Sequence, residues 1–233
     1  MLSGSCSSLE SLSSSLNRQM SDTNAATIDH ADLPSDDPHF GKATGGKIAM
    51  WMFIAQDGMS FGGLLFAYGV LRGTANDWPV PAEILGIPLT AFATFLLICS
   101  SLTMVFAVLA AKEKRQADLC KWLGATIVGG LAFLGIQAYE YTHLAHAGIG
   151  FTHSAVDGVP INSLFGTTFY AVTGFHGLHV LSGVIYLTCI LKGAMAGKYT
   201  QGGLSFSPVE LVGLFWHFVD LVWILVFTFI YLL

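Results

Sequence analysis

Residues 209–233 read VELVGLFWHFVDLVWILVFTFIYLL, twenty-five consecutive positions whose only ionisable side chains before the closing tyrosine are Glu210, His217 and Asp220. A bilayer core is crossed by about 20 largely apolar residues in helical form, because no water inside it can satisfy a backbone polar group. Four further stretches meet that length, roughly 48–71, 84–111, 122–139 and 164–191, and with the first they occupy about half the chain. Hydrophobic residues make up 53% of the sequence and charged ones 11%, a balance that leaves no room for a sizeable soluble domain. The expected fold is all-α: a polytopic bundle of five transmembrane helices over residues 47–233, preceded by a disordered tail over 1–46.

The placement of basic residues sets the expected orientation. Arg18, Lys42, Lys47, Lys112, Lys114, Arg115, Lys121, Lys192 and Lys198 fall on one side, and Arg72 alone on the other. That asymmetry puts the N-terminus in the cytoplasm and the C-terminus outside. The tail is of different material, with Ser at eight of the first fifteen positions and an acid-rich run with two prolines over 29–39. Such a segment lacks the apolar surface to fold, and it lacks the basic and apolar regions of a secretory signal. Met20, opening MSDTNAAT, is read as an alternative start. Cys6, Cys99, Cys120 and Cys189 show no CxxC and no Cys/His spacing, so neither a disulfide framework nor a structural zinc site is indicated.

Ionisable groups at the centre of a membrane helix cost about 2.5 to 3.5 kcal/mol each. The first span nevertheless carries Gln56-Asp57 ten residues beyond Lys47, about 15 Å along a helix. Its carboxyl must face protein, water or a lipid headgroup. The third span ends at Glu140, where a carboxylate could serve simply as an interfacial anchor. In the fourth, Thr173-Gly174-Phe175-His176-Gly177-Leu178-His179 sets two histidines three apart, and Gly174 and Gly177 allow close helix approach. In the fifth, Glu210, His217 and Asp220 share one stripe beside Trp216 and Trp223. Each group admits a structural reading, as hydrogen bonds that fix helix packing, and a functional one, as a proton route or lipid site. His143, His146 and His153 lie in the expected outer loop over 141–163, where a solvated loop is preferred to a metal site.

Phe165-Gly166-Thr167-Thr168-Phe169-Tyr170, the Thr173–Val180 run and Trp216-His217-Phe218-Val219-Asp220-Leu221-Val222-Trp223 resemble subunit III of cytochrome c oxidase. Met50-Trp51-Met52-Phe53-Ile54-Ala55 with Phe61-Gly62-Gly63 is similar to that family's opening helix here, and Gln137-Ala138-Tyr139-Glu140-Tyr141 to its third. Where the family usually has Ser-Glu, this chain has Gln56-Asp57, one methylene shorter. Longer members carry two more N-terminal helices. The resemblance implies a non-redox subunit of a haem-copper terminal oxidase in a bacterial inner membrane. It would pack mainly on subunit I, also meet subunit II, hold phospholipid and support proton uptake and active-site stability. Haem and copper would lie in partner subunits, with no metal and no catalytic residue in this chain. Membership of a respiratory supercomplex is left open, and no nucleic-acid partner is indicated. Asp57, Glu140, His176, His179, Glu210, His217 and Asp220 are the candidates for proton uptake or lipid binding. The alternatives are a quinol oxidase subunit or nitric oxide reductase-associated homologue, a haem carrier using His176, His179 and His217, and a proton-coupled transporter.

Overall fold

A computed structural model describes residues 45–75, 78–151, 155–156, 159–160, 163–199 and 207–233. The tail through residue 44, Met20 included, lies outside the described residues, as do His153 and Asp157. The chain divides into two compact units, Met1–Ala49, of which only the opening turn of the first helix is described, and Met50–Leu233.

Five long helices carry the fold: α1 (Gly45–Thr74), α2 (Ile87–Lys112), α3 (Gln116–His146), α4 (Ser163–Met195) and α5 (Ser207–Val226). Each is long and apolar enough to cross a membrane. A single helical turn, Pro81–Ile84, precedes α2, and a two-residue antiparallel ladder pairs Ala155 with Pro160 and Val156 with Val159. The third helix departs most from its expected bounds of 122–139. It runs on at both ends into polar sequence, so His143 and His146 belong to its last turn and the connection to α4 begins after them. Hydropathy marks only the part of a helix that sits in hydrocarbon, whereas backbone hydrogen bonding carries the helix into the interface.

The helix ends follow local chemistry. Gly148 (φ 87°) ends α3 and Gly197 (φ 71°) ends α4, each in the left-handed conformation that glycine adopts freely. After each, the next residue's N–H returns five positions, from Ile149 to Leu144 and from Lys198 to Gly193. The three-residue link from α2 to α3 uses Lys114 at φ 56° instead, and the Arg115 N–H closes it onto the Ala110 carbonyl at 2.9 Å. So short a link forces α2 and α3 antiparallel, and this is the most extensively packed pair.

Within Met50–Leu233, α2 packs on α3, α3 on α4, α4 on α5 and α5 back on α2, which closes a four-helix core. Two tryptophans lock it from α5. Trp216 is 1% exposed, and its indole N–H donates to Ser100 Oγ of α2 at 3.1 Å. Two turns on, the Trp223 N–H donates to Thr94 Oγ1 at 2.9 Å. Trp216 can enter because Gly130 of α3 and Gly183 of α4 lack side chains. A Cβ on Gly130 would stand 2.6 Å from Trp216 Cη2, and one on Gly183 2.9 Å from the same ring. Gly174 and Gly177 sit more loosely, with nearest neighbours Tyr141 and Gln137 at 3.7 and 3.6 Å from an added Cβ. The close helix approach is therefore made at Gly130 and Gly183, and at Gly129 of α3, where a Cβ would stand 2.7 Å from Ser100 Cβ of α2.

By contrast, α1 buries only Asp57, Phe61 and Tyr68. Phe61 meets Phe175 and His179 of α4 at ring separations of 4.9 and 5.2 Å, and Phe53 reaches Phe215 of α5 at 6.0 Å. Trp223→Phe should keep the ring packing and lose one interhelical hydrogen bond, at about 1 kcal/mol. The thermal midpoint of the purified protein measures it, and a Thr94→Val background should remove the difference.

Candidate functional site: a buried carboxylate and histidine between α1 and α4

His179 is held by its own helix. Its Nδ1 lies 2.7 Å from the Phe175 carbonyl one turn back. A carbonyl only accepts, so Nδ1 carries a hydrogen. Nε2 then faces α1, where Asp57 Oδ2 lies 3.3 Å away. The two atoms are close but not aligned as a hydrogen bond, and Oδ2 has no hydrogen-bond partner. Asp57 is 7% exposed. With Nδ1 committed, Nε2 and Oδ2 face each other favourably when one proton lies between them, either as imidazolium and carboxylate or as imidazole and carboxylic acid. The arrangement is a buried carboxylate–imidazole pair set into the membrane-crossing part of the chain.

One turn away, His176 is fully buried among Phe61, Phe133 and Trp223, with ring separations of 6.3, 5.7 and 4.8 Å. Neither of its ring nitrogens has a hydrogen-bond partner. The two histidines thus diverge, His179 to the carboxylate on α1 and His176 to the aromatic interior.

Glu140 is buried, at 6% exposure. Thr90 of α2 donates to its Oε1 at 3.0 Å and the Tyr231 hydroxyl to its Oε2 at 2.9 Å. Tyr231 arrives there because α5 widens into a π-helical segment over Phe227–Leu232, in which the Leu233 N–H reaches back five residues to Thr228. Wider turns of this kind redirect the side chains beyond them. Beside it, Thr173 donates to the Phe169 carbonyl at 2.6 Å, so its oxygen accepts from the Tyr141 hydroxyl at 2.8 Å, and Tyr141 accepts in turn from Gln137 at 3.1 Å.

The stripe on α5 resolves into two places. His217 Nδ1 meets Ser101 Oγ of α2 at 2.6 Å, and Asp220 is buried one turn on, its Oδ1 without a hydrogen-bond partner. Glu210 lies two turns below, near the end of α2 that carries Lys112. The sequence reading missed the partners Thr90, Thr94, Ser100, Ser101 and Tyr231. Their signal is a row of hydroxyl residues inside an otherwise apolar α2, which becomes informative only when α5 is laid against it.

The geometry defines a helical protein with five membrane-crossing helices and a buried carboxylate–histidine pair. Residues 37–233 match the family model described as cytochrome c oxidase subunit III. Cytochrome c oxidase subunit 3 of Bacillus sp. (strain PS3) is 33% identical over 187 residues, covering 80% of this chain and 84% of the relative. The subunit of the same name from Thermostichus vulcanus is 31% identical over 90% of this chain and 94% of its own. Cytochrome bo(3) ubiquinol oxidase subunit 3 of Pseudomonas aeruginosa is 31% identical over 94% and 96%. The chain belongs to the cytochrome c oxidase subunit III family, and so is a subunit of a haem-copper oxidase complex.

Proposed function

We propose that the chain is the non-redox subunit III of a cytochrome c oxidase in a bacterial inner membrane, with its N-terminus in the cytoplasm. It packs on subunit I, contacts subunit II, binds phospholipid, and supports proton uptake and active-site stability in a proton-translocating enzyme. Haem and copper belong to the partner subunits. The Asp57–His179 pair carries this reading, since a buried one-proton holder in a membrane span has a use wherever protons must be collected. Its position favours the cytoplasmic half: Asp57 lies about 15 Å along α1 from Lys47, at the end where the basic residues gather.

The relatives include both cytochrome c and ubiquinol oxidase subunits, so a quinol oxidase is the second reading. Purifying the complex through an N-terminal tag in mild detergent tests both. Haem absorbance with a large haem-copper subunit is expected, and the electron-donor module in the subunit mass list separates the two donors. A chain recovered alone and colourless, where other membrane complexes stay intact, overturns the proposal.

Asp57→Asn removes the titrating oxygen while keeping size. Oxidase turnover should fall, or its loss during turnover quicken, by about tenfold at high pH, equivalent to about 1.4 kcal/mol, with a smaller effect at low pH where protons are plentiful. Equal rates and lifetimes across pH in an intact complex would leave Asp57 a purely structural role.

A further inference from the structure

His217 lies two turns along α5 from Glu210, about 10 Å further into the span, and it opens on a trough of about 290 Å³ between α2 and α5. Val105 and Leu109 line the trough from α2, Gly213 and Leu214 from α5. We infer that this trough is a binding site for one isoprenoid quinone, with its ring in the slot and a ring oxygen hydrogen-bonded to His217 Nε2.

Three observations carry the inference. Among the described residues, half-buried His217 makes its one hydrogen bond through Nδ1, to Ser101 Oγ at 2.6 Å, which leaves Nε2 to whatever fills the trough. An acyl chain offers that nitrogen nothing, and a polar group left unpaired in hydrocarbon is costly. Ser101 can donate to Nδ1 or accept from it, so Nε2 carries a hydrogen in the first case and accepts one in the second. A quinone carbonyl answers the first state and a hydroquinone hydroxyl the second, so this ligand class suits the imidazole in either tautomer. The second observation is size. An apolar cavity of about 150 Å³ takes one benzene ring, so the trough has room for a substituted ring and the start of its tail, and it is too narrow for a helix about 10 Å across. Val108 closes the floor against Gly213, where a Cβ would stand 3.2 Å from Val108 Cγ2. The third is access: Leu109 is 45% and Val105 48% exposed, so an isoprenoid tail can run out sideways into the bilayer. Lys112 and Glu210, at the other end of the trough, are already engaged within the protein and take no part in the site. With haem and copper in the partner subunits, the site holds the quinone and does no redox chemistry on it.

The inference rests on the membrane-embedded fold, holds for either electron donor and makes no use of Asp57. To test it, the tagged complex is exchanged into phospholipid bilayer discs and irradiated with a short-chain ubiquinone that carries an azide on its ring, and labelled peptides are identified by mass spectrometry. Label is expected on α2 around Val105–Leu109 and on α5 around Gly213–His217, displaced by unlabelled ubiquinone and not by squalene, an isoprenoid without a ring oxygen. His217→Phe should weaken labelling about tenfold, equivalent to about 1.4 kcal/mol, and His217→Gln, which can still donate and accept, should restore most of it. Leu109→Trp, which narrows the slot from its exposed wall, should block labelling with His217 intact. Absence of label from both segments, displacement by squalene, unchanged labelling in either His217→Phe or Leu109→Trp, or a partner subunit cross-linked through Leu109→Cys in the trough would each overturn the inference. The same spectra record whether oxidase subunits accompany the chain, so failure of the oxidase assignment is read separately.

Discussion

Gly130→Leu should largely prevent incorporation of the subunit into its complex, whereas Gly135→Leu, five residues along the same helix, should be nearly silent. A Cβ at Gly130 stands 2.6 Å from Trp216 Cη2 and 2.8 Å from Val184 Cγ2, while one at Gly135 meets nothing within 4 Å. Trp216 cannot retreat, because its indole N–H is bonded to Ser100 and its other edge rests on Gly183. Overpacking of a dense core costs about 1 to 3 kcal/mol when neighbours can shift, and here the upper end or beyond is expected. The yield of the subunit in the purified complex and its thermal retention measure the effect. Equal yields for the two variants would show that Trp216 does not wedge between α3 and α4 as described.

Glu140→Leu is the second large effect, since it leaves the buried Tyr231 hydroxyl without its acceptor, at about 1 to 3 kcal/mol. Thr90 also loses Glu140 but can turn its hydroxyl to the Gly86 carbonyl, 3.2 Å away. The substitution also unties three helices at once, since the three residues sit on α2, α3 and the π-helical end of α5. Glu140→Gln should cost much less, because a carboxamide oxygen still accepts from one hydroxyl and its N–H can donate to the other. A double-mutant cycle with Tyr231→Phe should give a coupling of about 1 to 3 kcal/mol. Additive effects would sever the proposed tie.

The five spans were legible because hydrocarbon imposes one length and one composition on anything that crosses it. Asp57, His176, His179, His217 and Asp220 were equally visible, since a polar residue in such a run stands out. What the sequence could not supply was pairing. The separation of 122 positions between Asp57 and His179 leaves no periodic trace, and the same holds for Trp223 with Thr94. The burial of Glu140 was not legible, because hydropathy shows only that it lies near a span's end, while the neighbour that helps bury it, Tyr231, comes from the far end of the chain through a local change of helix type. Gly174 and Gly177 drew attention by flanking histidines, yet tighter contacts are made at Gly129, Gly130 and Gly183, which lie in plainer sequence. Close approach depends on the partner's side chain, here Ser100 and Trp216.

The sparse attachment of α1 bears on the order in which the subunit is built. A helix inserted independently docks only as strongly as its lateral contacts allow, and α1 has few, whereas the other four helices interlock through both tryptophans. The four-helix core can mature first, with α1 the last piece to settle and the first to leave under stress. Asp57 would travel with it. The carboxylate meets His179 only in the fully assembled fold, so the pair comes into being as a product of assembly and disappears with the earliest step of disassembly.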